Sequence, residues 1–137
     1  MAAIKQTLNV VSYNLHGFNQ GKIVIEDLLQ STDIFLLQEH WLTPANMSRL
    51  DNTFRDFFCI GRSAMSDRVQ IGMLTGRPFG CAAIRIHNSL RPVAKTVTCE
   101  DRYVTVQMAS YLFISIYMAC VGTNDRLLLF NELLSEV

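Results

Sequence analysis

Two short apolar runs, separated by an amphipathic segment, constrain this chain more than any other feature. Residues 8–13 (LNVVSY) end in Asn14, and residues 33–38 (DIFLLQ) are closed by Glu39. A Gly-containing turn at 17–21 leads out of the first run. Residues 22–30 then place Ile25, Leu28 and Leu29 on one face and Glu26, Asp27 and Gln30 elsewhere, the spacing of a surface helix. Strand, helix, strand within about 30 residues is a βαβ unit, whose crossover makes the two strands parallel. Strands apolar on both faces imply a sheet covered on both sides.

The remaining chain continues the α/β pattern. Thr43-Pro44 is a cap with a first-turn proline, predicting a short helix to about Leu50. Residues 57–61 (FFCIG) read as a strand, and 63–80, with Gly72, Gly76, Gly80 and Pro78, as a long loop. Further strands are expected at 81–87, 93–99 and 102–109, with 111–118 as a central strand. Residues 125–137 are amphipathic, with Leu127, Phe130, Leu134 and Val137 on one helical face. Ending on a crossover helix with no following strand predicts an α/β domain cut short at its C-terminus. No repeat or linker divides residues 1–137, so a single partial domain is expected.

Composition excludes several classes. An apolar content of 50% rules out intrinsic disorder. Twelve basic against twelve acidic residues confine any nucleic-acid contact to a local patch. Residues 103–124 carry no charge, and about 20 apolar residues can span a bilayer. Thr105, Gln107, Ser110, Ser115 and many β-branched residues interrupt that run, so two strands joined at Ala109-Ser110 fit better, and no membrane is expected. Cys59, Cys81, Cys99 and Cys120 are widely spaced with no CxxC pair. They read as small apolar residues of a reducing, intracellular compartment, and no basic stretch followed by an apolar run suggests a signal peptide.

In open sheets, ligands collect outside the carboxyl ends of the strands. Both strands of the βαβ unit finish there in polar groups, Asn14 on one and Gln38-Glu39 on the other. An amide and a carboxylate suit an oxygen-rich cation site for magnesium, which takes one or two carboxylates, keeps several waters and accepts phosphate oxygens. By spacing alone, ordinary polar residues capping two strands account for the same pattern.

The motifs carry a resemblance. SYNLHGFN (12–19) followed by LLQEHWL (36–42) resembles the first two motifs of the endonuclease/exonuclease/phosphatase superfamily. GRPFG (76–80), DRYVTVQM (101–108) and ISIYM (114–118) follow in the family's order. The wording is most similar to the endonuclease domain of non-LTR (LINE-type) retrotransposon polyproteins, covering the N-terminal part of that domain. The resemblance implies a two-sheet α/β sandwich of DNase I-like type that cleaves DNA phosphodiesters with Mg2+ or Mn2+. It implies Glu39 as the metal carboxylate, Asn14 as support for the metal, and Tyr117 at the scissile phosphate. Water would attack phosphorus in line while the metal neutralises charge on the phosphate oxygens. It also implies a downstream reverse transcriptase domain in a longer polyprotein, and action in the nucleus.

Three departures qualify this. Ala119 stands where the family commonly has Pro, and Cys81 follows Gly80 where retrotransposon members often pair glycines. The family's Asp-x-Asn strand and terminal Asp-His pair do not occur in these residues, so little nuclease activity is expected from this polypeptide alone. A non-catalytic remnant or binding module of a degraded element, and a phosphoester phosphatase of the same superfamily, are the competing readings. Translation downstream of Val137 would separate fragment from remnant.

Most of the smaller features have two readings. His16 is a solvated loop residue or a phosphate contact, and His40 is packing or a partner of the metal ligand. His87, at a strand end, reads as structural. Trp41 fits core packing beside the following helix better than base stacking. Arg62, Arg68 and Arg77 stand against only Asp67 in the 61–77 stretch. They track DNA phosphates or belong to a solvated loop.

Overall fold

The computed structural model describes residues 7–63, 69–70, 73–74, 81–100, 102–117 and 135. Strand β1 (Val10–Asn14) leads into helix α1 (Phe18–Leu28), and β2 (Ile34–Gln38) returns beside β1. The two strands are parallel, with Val10 opposite Ile34 and Asn14 opposite Gln38, as the βαβ reading predicts. A 3₁₀ turn at Pro44–Asn46 and the short helix α2 (Ser48–Asn52) precede β3 (Phe57–Gly61). Two-residue strands β4 (Val69–Gln70) and β5 (Met73–Leu74) pair with each other, so the stretch read as a loop contains a small ladder. Strand β6 (Ala82–His87) enters antiparallel between β2 and β3, giving a mixed sheet ordered β1-β2-β6-β3.

Strands β7 (Ala94–Cys99), β8 (Tyr103–Met108) and β9 (Tyr111–Ile116) form a second, antiparallel sheet. Residues 103–116 of the uncharged run therefore form a hairpin turning at Ala109, whose φ of 51° is left-handed. Among the described residues no helix is long and apolar enough to cross a membrane. Strand β8, not β9, is central in this sheet, and β9 lies at its described edge. The helix expected at 125–137 lies outside the described residues apart from Ser135.

Period-two alternation sorts the first sheet's side chains into two cores. Phe35, Leu37, Phe57 and Ala83 pack with Phe18, Ile25, Leu50 and Phe54 on the helical side. Ile34, Ala82, Ile84 and Ile86 pack with Val104, Val106 and Met108 of the second sheet. Each large side chain so buried contributes roughly 1.5–3 kcal/mol. β2 is covered on both faces as expected, but β1 is not: Val11 and Tyr13 pack against the helical-side core while Val10, Ser12 and Asn14 are exposed.

Helix α1 begins earlier than its apolar spacing suggests. Gly17 is its N-cap at φ 95°, and Gly21, read as part of a turn, is buried inside the helix. A Cβ on Gly21 would stand 2.7 Å from the carbonyl oxygen of Leu15 and 2.8 Å from its Cα. The glycine is therefore a packing requirement, letting the helix press onto the chain leaving β1.

Arg85 is the large polar side chain of the interior. It is fully buried on the helical face of β6, its guanidinium 4.5 Å from the Phe54 ring centroid. One Nη donates to the Phe54 carbonyl at 3.2 Å, while Nε and the other Nη have no partner. Burial pulls its pKa down from the ordinary arginine value.

Candidate active site

The carboxyl ends of β1 and β2 are held in place by backbone. Beyond the last ladder pair, the Leu15 N–H donates to Gln38 O (2.8 Å), Gly17 N–H to Glu39 O (2.8 Å) and Phe18 N–H to His40 O (2.9 Å). The Glu39 N–H donates across to Cys81 O at 2.8 Å, at the entrance to β6. Glu39 is thus fixed on both sides by main chain, and its side chain is 15% exposed.

That fixing requires unusual backbone. His16 (φ 48°), Glu39 (φ 55°), Trp41 (φ 55°) and Cys81 (φ 86°) are left-handed non-glycine residues, and all four sit at this end. Such conformations are uncommon for non-glycine residues and gather at functional sites.

The structure brings the two proposed ligands together. Asn14 and Gln38 are register partners, so Glu39 lies one residue beyond the neighbour of Asn14. The Asn14 Oδ1 accepts the His16 backbone N–H at 2.9 Å, which orients the amide and leaves a second lone pair. The His16 ring, largely solvent-exposed, places Nδ1 3.6 Å from a Glu39 carboxylate oxygen.

Tyr117 is carried to the same end by a tie the sequence did not announce. Gln38 Nε2 donates to Ser115 Oγ (2.9 Å), and Ser115 Oγ donates to Leu37 O (2.8 Å). This couples the end of β9 to the end of β2, one residue before Glu39 and two before Tyr117. Tyr117 itself donates its N–H to Arg102 O at 2.8 Å, with the Arg102 guanidinium 5.8 Å from its ring.

His40 resolves toward packing. It is fully buried, and the Leu42 N–H donates to its Nδ1 at 3.0 Å. Nε2 therefore carries the proton and donates to Arg62 O at 3.2 Å. Burial holds its pKa down at about 4, so the ring stays neutral; the Arg62 carbonyl opposes that shift. His87 is structural as read, with Nδ1 2.8 Å from Ser89 Oγ.

Trp41 departs from the expectation. It belongs to neither core; its ring is tilted against His16 at a centroid distance of 4.8 Å and rests over Gly17. The backbone at 41 is itself left-handed, at φ 55°. Arg62 lies at this end too, but its guanidinium is 3.6 Å from Glu100. Arg68 and Arg77 lie outside the described residues, as does Cys120. Burial pushes the Cys59 thiol up to about 12.

A fixed carboxylate beside an oriented amide oxygen is a hard-oxygen donor set. It fits a hydrated Mg2+ or Mn2+ held by few protein ligands. No group of three or more His, Cys, Asp or Glu that could hold a metal occurs among the described residues, so waters and substrate oxygens would complete the shell.

Neither a protein-family model nor a curated protein matches the chain in sequence. Solved structures do match its shape. An AP endonuclease, LMAP, from Leishmania major aligns with TM-score 0.67 at 12% identity, over 94% of this chain and 47% of its own. A 3′ phosphatase, NExo, from Neisseria, solved bound to a product DNA hairpin, aligns with TM-score 0.58 at 13% identity, over 93% and 48%. The chain therefore spans about half the length of these structures. With its two facing sheets and flanking helices, it has the α/β fold of the endonuclease/exonuclease/phosphatase, DNase I-like type.

Proposed function

We propose that this chain is part of a metal-dependent DNA phosphodiesterase, an endonuclease in which Glu39 anchors a divalent cation. The observation that supports the reading is that Asn14 and Glu39 lie at one end of adjacent parallel strands, with Glu39 on left-handed backbone tied by main-chain hydrogen bonds on both sides. Glu39 would hold Mg2+ or Mn2+ with Asn14 beside it. When bound, the cation supplies neutralisation of charge on phosphate oxygens. Tyr117, tethered through Ser115, would contact the phosphate, and Arg62, Arg68 and Arg77 would track the DNA backbone. Shape neighbours named as an AP endonuclease and a 3′ phosphatase support the phosphoesterase class.

The retrotransposon assignment rests on the wording of QEHWL and GRPFG. On that reading the 137 residues are one partial domain of a polyprotein with a downstream reverse transcriptase, acting inside the cell and in the nucleus. The chain alone would then cleave weakly, since nothing in it supplies the Asp-x-Asn and Asp-His groups. A phosphatase reading uses the same site and is favoured by the second shape neighbour.

The test is Mg2+-dependent nicking of supercoiled plasmid by the chain and by a longer protein containing it, each beside its Glu39→Gln form. Nicking that falls about a hundredfold or more in the Gln form supports the reading. Equal nicking by both forms removes Glu39 from the chemistry.

A further inference from the structure

Beside the Glu39 turn lies a cavity of about 320 Å³ whose lining includes Trp41, His16, Asn19, Gln20, Asn46 and Arg49. None of its lining residues is acidic. Arg49 enters from α2, its Nη donating to the Asn19 Oδ1 at 2.7 Å and its guanidinium 5.1 Å from the Phe18 ring centroid. An amide oxygen and an aromatic face hold this cation in position without cancelling its charge.

The lining also carries an aromatic. Trp41 is half-buried, outside both cores, and supported by the His16 ring. Gly17 makes room for it: at φ 95° a side chain is disfavoured, and a Cβ there would come within 3.0 Å of the indole Cε3. A half-buried aromatic, a fixed guanidinium and polar amides lining one cavity match the needs of a nucleotide. The base needs a π-face, and the phosphate needs a planar cation.

We propose that the groove between Trp41 and Arg49 binds one unpaired deoxynucleotide, its base stacked on the indole and its phosphate on the guanidinium. This rests on the DNA reading above and gives that site a flanking pocket next to Glu39. Duplex DNA would enter it only where a base is unstacked, so the groove favours frayed, nicked or single-stranded ends.

Trp41 is the chain's single tryptophan, so its emission reports stacking directly. The 137-residue chain is titrated with a short oligothymidylate in EDTA, which keeps cleavage out of the measurement. Excitation at the red edge isolates the indole, and anisotropy of the end-labelled strand reports binding independently. We expect emission to fall by roughly half at saturation, and a strand of equal length lacking bases to bind about tenfold more weakly without quenching. Arg49→Gln should weaken oligothymidylate binding and lower the salt slope by about one. Binding without quenching, equal affinity for the base-less strand, or no binding at all would overturn the proposal. A chain that quenches yet gives a longer protein whose nicking ignores Glu39 keeps the groove and loses the nuclease reading; the reverse result does the opposite.

Discussion

The two ends of the four-stranded sheet carry similar residues and are built differently. At the end where β1 and β2 finish, His16, Glu39, Trp41 and Cys81 stand on left-handed backbone beside Asn14. At the other end, Asp33, Asp56 and His87 surround a larger cavity of about 410 Å³. There the polar groups serve the main chain: Asp33 Oδ2 accepts the Asn9 N–H at 2.9 Å, Asp33 O accepts the His87 N–H at 2.9 Å, and Asp56 O accepts the Asn88 N–H at 2.8 Å. No left-handed non-glycine residue occurs at that end among the described residues. The larger cavity is lined by groups that close turns, whereas the smaller one adjoins a carboxylate whose placement costs backbone strain. Strain, more than volume, makes the first of these ends the candidate site.

The contrast can be broken most forcefully at His40, whose neutral ring stitches the strained end together. Above pH about 6.5 the imidazole is neutral in both folded and unfolded chains, and its contribution is complete. As pH falls from there toward about 4, the unfolded chain takes up a proton that the native ring resists. Stability should therefore drop with acidification, by as much as about 3 kcal/mol. Urea melts at a series of pH values check this, and His40→Gln should flatten the dependence over that window. A wild-type curve that is already flat there would place the imidazole in water.

A smaller effect sharpens the contrast from the other end. Asp33→Ala leaves the Asn9 N–H without its carboxylate partner and should cost about 1–3 kcal/mol in denaturant melts. The same substitution should leave Trp41 quenching and metal affinity unchanged. A loss of metal binding in this variant would move the candidate site to the wrong end of the sheet.

How much of this was readable beforehand follows from the range of each interaction. The parallel β1–β2 pair was legible because both runs are apolar on two faces and sit a crossover apart, and their polar ends named Asn14 and Glu39. The start of α1 was not, since Gly21 has the composition of a turn; only the backbone of Leu15 pressed against it shows why a helix needs it. Ser115 reads as one interruption in an apolar run, and its tie to Gln38 joins residues far apart in sequence. Arg85, inside AAIRIH, carries no local sign that Phe54 and Phe57 will enclose it. Trp41 was read by the rule that large aromatics fill cores, and nothing local in the sequence signals that it lies against His16 and Gly17 instead.

The central claim is that one end of the sheet takes a hard divalent cation and the other does not. Paramagnetic broadening by Mn2+ in an amide-resolved NMR spectrum compares both ends in a single sample. The account predicts selective loss of the Leu15, His16, Gly17 and Trp41 signals at low Mn2+, abolished in Glu39→Gln, with Asn9, Asp33 and His87 retained. Broadening centred on Asp33 and His87, or a pattern unchanged by the Gln substitution, would contradict it.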